Sequence, residues 1–144
     1  MNATLTKFGY PGSLVREYHH WCVLLRPQQV TLGALVLATR GNERAFSALP
    51  ASAFVEFGAI VHHIEVGLKA FRPFDRINYL MLMMVDPHVH FHVLPRYAAP
   101  QSFDGVSFPD AGWPSVPDLK QAPKLKDETL AHLRDALQTL WPRI

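Results

Sequence analysis

Two hydrophobic rhythms alternate along the chain, and the switches between them divide it into elements. Glu17 to Arg26 (EYHHWCVLLR) is rich in aromatic and β-branched residues and predicts a strand. Pro27-Gln28-Gln29 turns the chain, and Leu32 to Thr39 (LGALVLAT) predicts a second strand. The short gap between them makes the pair antiparallel. Gly41-Asn42 marks a break. From Ser52 to Phe71 the period lengthens to that of a helix. Phe54, Phe57, Val61, Ile64, Leu68 and Phe71 recur at spacings of three and four and form one apolar stripe. Glu65 and Lys69 lie off the stripe at the i,i+4 spacing that favours opposite charges. Pro73 ends the helix, because its ring cannot continue the hydrogen-bond ladder.

Ile77 to Val85 (INYLMLMMV) is a continuous apolar run of a length that predicts a fully buried strand. Asp86-Pro87 interrupts it, and His88 to Pro95 (HVHFHVLP) then alternates with a strict period of two. Two strands about an Asp-Pro break fit a hairpin, or one longer strand with a bend or bulge. Residues 98–124 differ in kind. Pro100, Pro109, Pro114, Pro117 and Pro123 are interleaved with Phe103, Phe108 and Trp113, which reads as an ordered flap anchored to the body by its aromatic rings. Asp127 is placed to cap a last helix, with Leu130, Leu133, Leu137 and Leu140 as its buried face and Pro142 closing it.

With 144 residues, 49% hydrophobic and 18% charged, the sequence fits one globular domain over 1–144. Its parts are a core at about 17–97, the flap at 98–124 and a C-terminal helix at about 127–141. A net charge of +2 without a cluster of Lys and Arg argues against nucleic acid as the main partner. Cys22 is the only cysteine, so no intrachain disulfide forms, which suits a reducing compartment. MNATLTKFGYPGS has no apolar stretch of the signal-peptide kind, and the apolar run Tyr79 to Val85 is too short to cross a bilayer. The expectation is a cytoplasmic protein with no membrane contact.

The chemistry concentrates in one segment. His88, His90 and His92 alternate with Val89, Phe91 and Val93, so on a strand the imidazoles share one face and the apolar side chains the other. The apolar face goes to the core, which leaves the imidazoles lining a surface or cleft. Same-face neighbours on a strand are roughly 7 Å apart, close enough for one small ligand to touch successive rings. An imidazole near neutral pH serves as nucleophile, donor, proton shuttle or metal ligand. Attack at phosphorus needs a neutral nitrogen in the right tautomer, a donor near the leaving group and donors for the equatorial oxygens. The middle residue of such a row has a neighbour on each side to help it. Three alternatives remain: a solvated strand face, a metal site using two of the histidines with His92, Asp86 or His19, and a module that binds without turnover. His62, His63 and His132 lie where solvent exposure is the default, and only one of His19 and His20 can share the face of the histidine row.

Asp86 to Tyr97, DPHVHFHVLPRY, resembles the signature of the histidine-triad family, His-φ-His-φ-His-φ-φ with φ apolar. The HVLPR ending is most similar to the fragile-histidine-triad and dinucleoside-polyphosphate hydrolase branches. The resemblance implies an α+β fold: an antiparallel sheet of about five strands, one long helix packed on it and a C-terminal helix. It also implies a homodimer, a nucleotide-type small-molecule substrate, and cleavage of a P–O or P–N bond in a nucleotide conjugate. By position His90 is the implied nucleophile, His92 stands on the leaving-group side and His88 orients its neighbour; no metal or other cofactor is implied. Arg40 and Arg96 are candidate phosphate contacts, and Trp113 a candidate cover for the base. The stretch before the triad departs from the polar one common in such proteins. Met83-Met84-Val85-Asp86-Pro87 has no neutral side-chain donor, and no carboxylate stands near Leu25-Arg26, where the resemblance places one that binds ribose.

Overall fold

The computed structural model describes residues 2–143. Strands β1 (Leu14–Glu17), β2 (Trp21–Leu25), β3 (Leu35–Thr39), β4 (Arg76–Leu80) and β5 (His90–Arg96) form one antiparallel sheet in the order β1-β2-β3-β5-β4. The register places Val36 and Leu80 on either side of His92, and Ala38 beside His90. Alternation then sorts the side chains. Val23, Leu25, Leu35, Leu37, Phe91 and Val93 join the larger core beneath the long helix α2 (Ala51–Phe71). Cys22, Leu24, Val36 and Ala38 face the other way, onto Leu5 and Phe8 from a short N-terminal helix, α1 (Ala3–Lys7). Helix α3 (Asp127–Leu140) closes the first side through Leu133, Leu137 and the following Trp141.

Several expectations need correction. The segment Glu17 to Arg26 is not one strand but the turn and second arm of the β1–β2 hairpin. Glu56 of α2 accepts from the backbone amides of both His19 (3.1 Å) and His20 (2.7 Å), and Tyr18 N donates to Trp21 O, which closes the turn. The buried face of α2 is also rotated from the expected stripe. Ala53, Ile60, Ile64, Gly67, Leu68 and Phe71 are buried, while Phe54 is 43% exposed. The small residues let the helix seat closely: Trp21 Nε1 donates to Ala53 O, and Trp141 lies against Gly67. Ile77 to Val85 is not a fully buried strand. Its first part belongs to β4, a half-buried edge strand, and Leu82, Met84 and Val85 are exposed on a loop where Met83 takes φ 52°. As an outer strand, β4 has a strand beside it on one side only, and its apolar run is left half covered.

The hairpin between β4 and β5 and the pairing of β2 with β3 are present as expected. The flap holds a further hairpin, β6 (Gln101–Phe103) and β7 (Val106–Phe108), that its irregular pattern hid. Asp104-Gly105 forms its two-residue turn with φ positive at both positions, the conformation that Asp-Gly favours. Phe103 and Phe108 anchor it to the larger core. In α3, Asp127 is the first helical residue rather than the cap, and Leu140 is 40% exposed while Thr129 is buried.

Two glycines of α2 separate backbone propensity from packing. A Cβ at Gly67 meets Trp141 Cε3 at 2.8 Å, whereas one at Gly58 meets nothing within 4 Å. Gly58→Ala is expected to raise stability by up to about 1 kcal/mol, the usual helix gain. Gly67→Ala is expected to lower it by about 1–3 kcal/mol through overpacking. Denaturant unfolding of the two variants beside wild type checks this, and a stabilised Gly67→Ala would overturn the close seating of Trp141.

Candidate functional site

β5 carries the site. Val89, Phe91 and Val93 point into the larger core, so the backbone alternation turns His90 and His92 toward α1, with His88 just ahead of the strand. Of the expected surface or cleft, the surface needs correction here, since the three histidines are 7%, 2% and 7% exposed in chain order. Helix α1 lies over them. Asn2 caps it by accepting from Leu5 N, and its side-chain amide donates to Thr39 O (2.9 Å) and Gly41 O (2.7 Å) at the end of β3. Phe8 then packs on both rings, its centroid 5.8 Å from that of His90 and 5.7 Å from that of His92.

Each imidazole has a defined partner. His90 Nδ1 is 2.7 Å from the carbonyl oxygen of His88, which only accepts, so this nitrogen bears the hydrogen and the lone pair of the neutral ring is on Nε2. His92 Nδ1 accepts from Arg26 Nε at 3.3 Å, so its neutral ring carries hydrogen on Nε2. The two rings meet edge to face at 5.2 Å. His88 Nδ1 bonds Thr4 Oγ1 at 2.9 Å, and the same oxygen accepts from His88 N.

Burial, the Arg26 guanidinium and the neighbouring His90 push His92 down to about 4, with Lys7 acting in the same sense and Asp86 opposing. Burial and Arg44 also lower His88. Asp86, just before the triad, is matched by Lys7 of α1 at 2.7 Å.

The other candidates fall in different places. Arg40 pairs with Glu17 (3.1 Å) and donates to the carbonyls of Tyr18 and His19. Arg96 is buried and grips Asp110 through two bonds, 2.7 and 3.0 Å, with a third to Asn78. Arg96 and Trp113 together line a cavity of about 700 Å³ along β4, which none of the three histidines lines. A cavity of about 170 Å³ reaches the neighbourhood of the triad, lined by Lys7, Phe8, Arg26, Pro27 and Gln28. Among the described residues, no three His, Cys, Asp or Glu side chains converge closely enough to hold a metal ion. None of their helices is long and apolar enough to cross a membrane.

Sequence reasoning missed Arg26, Thr4 and Lys7. For Arg26 a signal existed: Cys22, Leu24 and Arg26 alternate, and this places the arginine on the histidine face at the end of a buried strand. No comparable periodicity announces α1. His63, expected in solvent, is half-buried, and its Nδ1 bonds Tyr18 OH at 2.9 Å.

Acid should weaken the fold through His92. Its folded value lies below the unfolded one near 6.5, so unfolded chains take up protons that the native site refuses. The stabilisation is complete above about pH 6.5 and is lost as pH falls toward about 4. Denaturant midpoints at pH 7.5 and 4.5 should fall on acidification, and fall less in His92→Asn. Equal losses in both proteins would contradict the neutral, buried ring.

No family model matches this sequence, and no curated protein matches it. Solved structures do. A histidine triad (HIT) protein from Sinorhizobium meliloti 1021 superposes with a TM-score of 0.74 at 16% identity, covering 96% of this chain and 94% of that one. A histidine triad protein from Marinobacter aquaeolei VT8 gives 0.74 at 20% identity, over 98% and 94%. A hypothetical histidine triad nucleotide-binding protein from Sulfolobus tokodaii gives 0.68 at 17% identity, over 95% and 88%. Its sheet, its long helix and its C-terminal helix give this chain the fold of the histidine-triad proteins.

Proposed function

We propose that this protein is a nucleotidyl hydrolase or transferase working through a phosphohistidine at His90. His90 Nε2 attacks the α-phosphorus of a nucleotide conjugate, the P–O or P–N bond to the leaving group breaks, and water or another acceptor resolves the nucleotidyl-histidine. The observation that carries this reading is the 2.7 Å contact of His90 Nδ1 with the His88 carbonyl, which presents the opposite nitrogen as a nucleophile. His88 orients His90 through that carbonyl, and His92 offers Nε2–H toward the leaving group. The description of the Sulfolobus tokodaii protein as nucleotide-binding supports a nucleotide as the substrate. Arg40 and Arg96 are engaged by carboxylates and backbone or amide oxygens and Lys7 by Asp86, so in this reading Arg26, which bonds no carboxylate, supplies positive charge nearer the phosphate. Trp113 stands with Arg96 at the β4 cavity and is a candidate contact for a more distant part of the conjugate.

Ligand pockets are usually about 300 Å³ or larger, so a cavity of about 170 Å³ admits a nucleotide only when its lining shifts, either Lys7 and Phe8 at the end of α1 or residues 26–28 after β2. This closure favours a second reading, a relative that binds nucleotides without turnover.

Brief incubation with adenosine phosphoramidate or diadenosine polyphosphates, followed by intact-mass spectrometry, decides between them. An acid-labile nucleotidyl adduct is expected in wild type and absent in His90→Asn, with turnover lowered by at least about a thousandfold in the variant. Tight nucleotide binding with no adduct, unchanged in His90→Asn, would establish the binding module instead.

A homodimer belongs to the same proposal, supported by β4, whose outer edge pairs with no strand among the described residues and whose side chains are mostly half-buried. Sedimentation equilibrium should give twice the chain mass, and a single-chain mass at micromolar concentration would reject it.

A further inference from the structure

Arg26 follows the last residue of β2 and is 6% exposed. Its backbone is fixed at both ends: N donates to Ala34 O at 3.0 Å, and O accepts from Gln29 Nε2 at 2.7 Å. Within the side chain, Nη1 donates to Gln28 O at 2.8 Å and Nε to His92 Nδ1 at 3.3 Å. A guanidinium has five donors, no acceptor and no accessible deprotonation. The nitrogen it faces must therefore carry a lone pair, and the single hydrogen of the neutral His92 ring is placed on Nε2.

That arrangement limits what His92 can do. Releasing the Nε2 hydrogen would leave an imidazolate, and taking a second hydrogen at Nδ1 would set two donors against each other inside the protein. The groups that face the ring add to the restriction. Arg26 comes from the end of β2, His90 from β5 and Lys7 from α1, and the one carboxylate, Asp86 from the segment before the triad, is already matched by Lys7. Phe8 covers the ring edge to face at 5.7 Å.

We propose that Arg26 is a positioning residue that fixes His92 as a hydrogen-bond donor without a transferable proton, and that the substrates are therefore nucleotide conjugates whose leaving group departs as a stable anion, a carboxylate or a phosphate. The inference rests on the nucleotidyl-transfer reading above and narrows it. His90 Nε2 forms the N–P bond with its lone pair while the P–O bond breaks and its electron pair stays on the leaving oxygen. His92 Nε2–H and the Arg26 charge stabilise that oxygen, and no proton moves. In the second step water attacks phosphorus, the P–N pair returns to His90 Nε2, and the proton of the water is released to solvent. An amine or alkoxide leaving group has to acquire a proton as it departs, and His92 in this state has none to give.

Two measurements on the full chain test this. Nitrogen-15 NMR of the histidines in wild type should show His92 with Nδ1 unprotonated and Nε2 protonated from pH 8 to below pH 6. In Arg26→Met the ring should titrate closer to the ordinary imidazole range, and Arg26→Lys should move it less. A wild-type His92 that holds hydrogen on Nδ1, or that titrates near pH 6.5, would overturn the positioning role whether or not the variants fold. The second measurement is the rate of adduct formation on His90 with adenosine 5′-phosphate aryl esters of graded phenol acidity, beside adenosine phosphoramidate.

Wild type should slow steeply as the phenol becomes less acidic, and the phosphoramidate should trail the most acidic ester by about a hundredfold or more, the factor a general acid otherwise contributes. Arg26→Met should flatten the series below pH 6.5, where its His92 can carry a second proton. Equal rates across the series would overturn the substrate class while leaving the nucleotidyl reading in place. No adduct with any member, together with the expected NMR tautomer, would overturn the nucleotidyl reading and the substrate class while Arg26 keeps its positioning role.

Discussion

A strand flanked on both edges and covered on both faces must find the partners of its buried polar atoms within the protein, and β5 is such a strand. It lies between β3 and β4, with Phe91 and Val93 against the core beneath α2 and His90 and His92 beneath α1. A buried donor or acceptor without a partner costs about 1–3 kcal/mol, so the imidazoles are oriented by whatever meets their nitrogens. For His88 that is a threonine hydroxyl, for His90 a carbonyl, and for His92 a guanidinium. Each partner differs in what it can donate or accept, and the difference sets the protonation pattern of the row.

The electrostatics follow from the same enclosure. Burial disfavours the charged form of His92, and Arg26 beside it acts in the same direction. Asp86, which would oppose both, is balanced by Lys7, so α1 changes the local field as well as covering the rings. Arg40 and Arg96, expected from sequence to meet phosphate, hold the β1–β2 turn and the flap: Arg96 and Asp110 are both nearly inaccessible, and their two-pronged bond holds the flap against β5. Positive charge near the triad comes from residues that ordinary motif reading passes over.

How much was legible depended on whether a residue advertised itself by period. The alternation of His88 to Val93 fixed the two faces of β5 and hence the shared direction of His90 and His92, and the long helix and the antiparallel pairing were equally visible. The exact face of α2 was not, because Ala53 and Gly67, which decide how closely it seats, carry little hydrophobic signal beside Phe54 and Phe57. Edge position is a property of the whole sheet, so nothing local in INYLMLMMV distinguishes a half-covered strand and exposed loop from a buried one. Arg26 was readable by extending the alternation of Cys22 and Leu24 by one more step. Thr4 and Lys7 were not, since their partners are more than seventy residues away in sequence.

The cover over the triad is a helix of five residues. Isolated helices shorter than about 12–15 residues are marginal in water, because nucleation costs more than so few internal bonds return. Helix α1 is thus helical only while Asn2 holds the end of β3, Thr4 holds His88, and Leu5 and Phe8 stay in their cluster. Leaving the sheet and unravelling are then a single event for this segment. Exposing the histidines on that side therefore carries the cost of melting the helix, because the cover has no stability of its own as a rigid body.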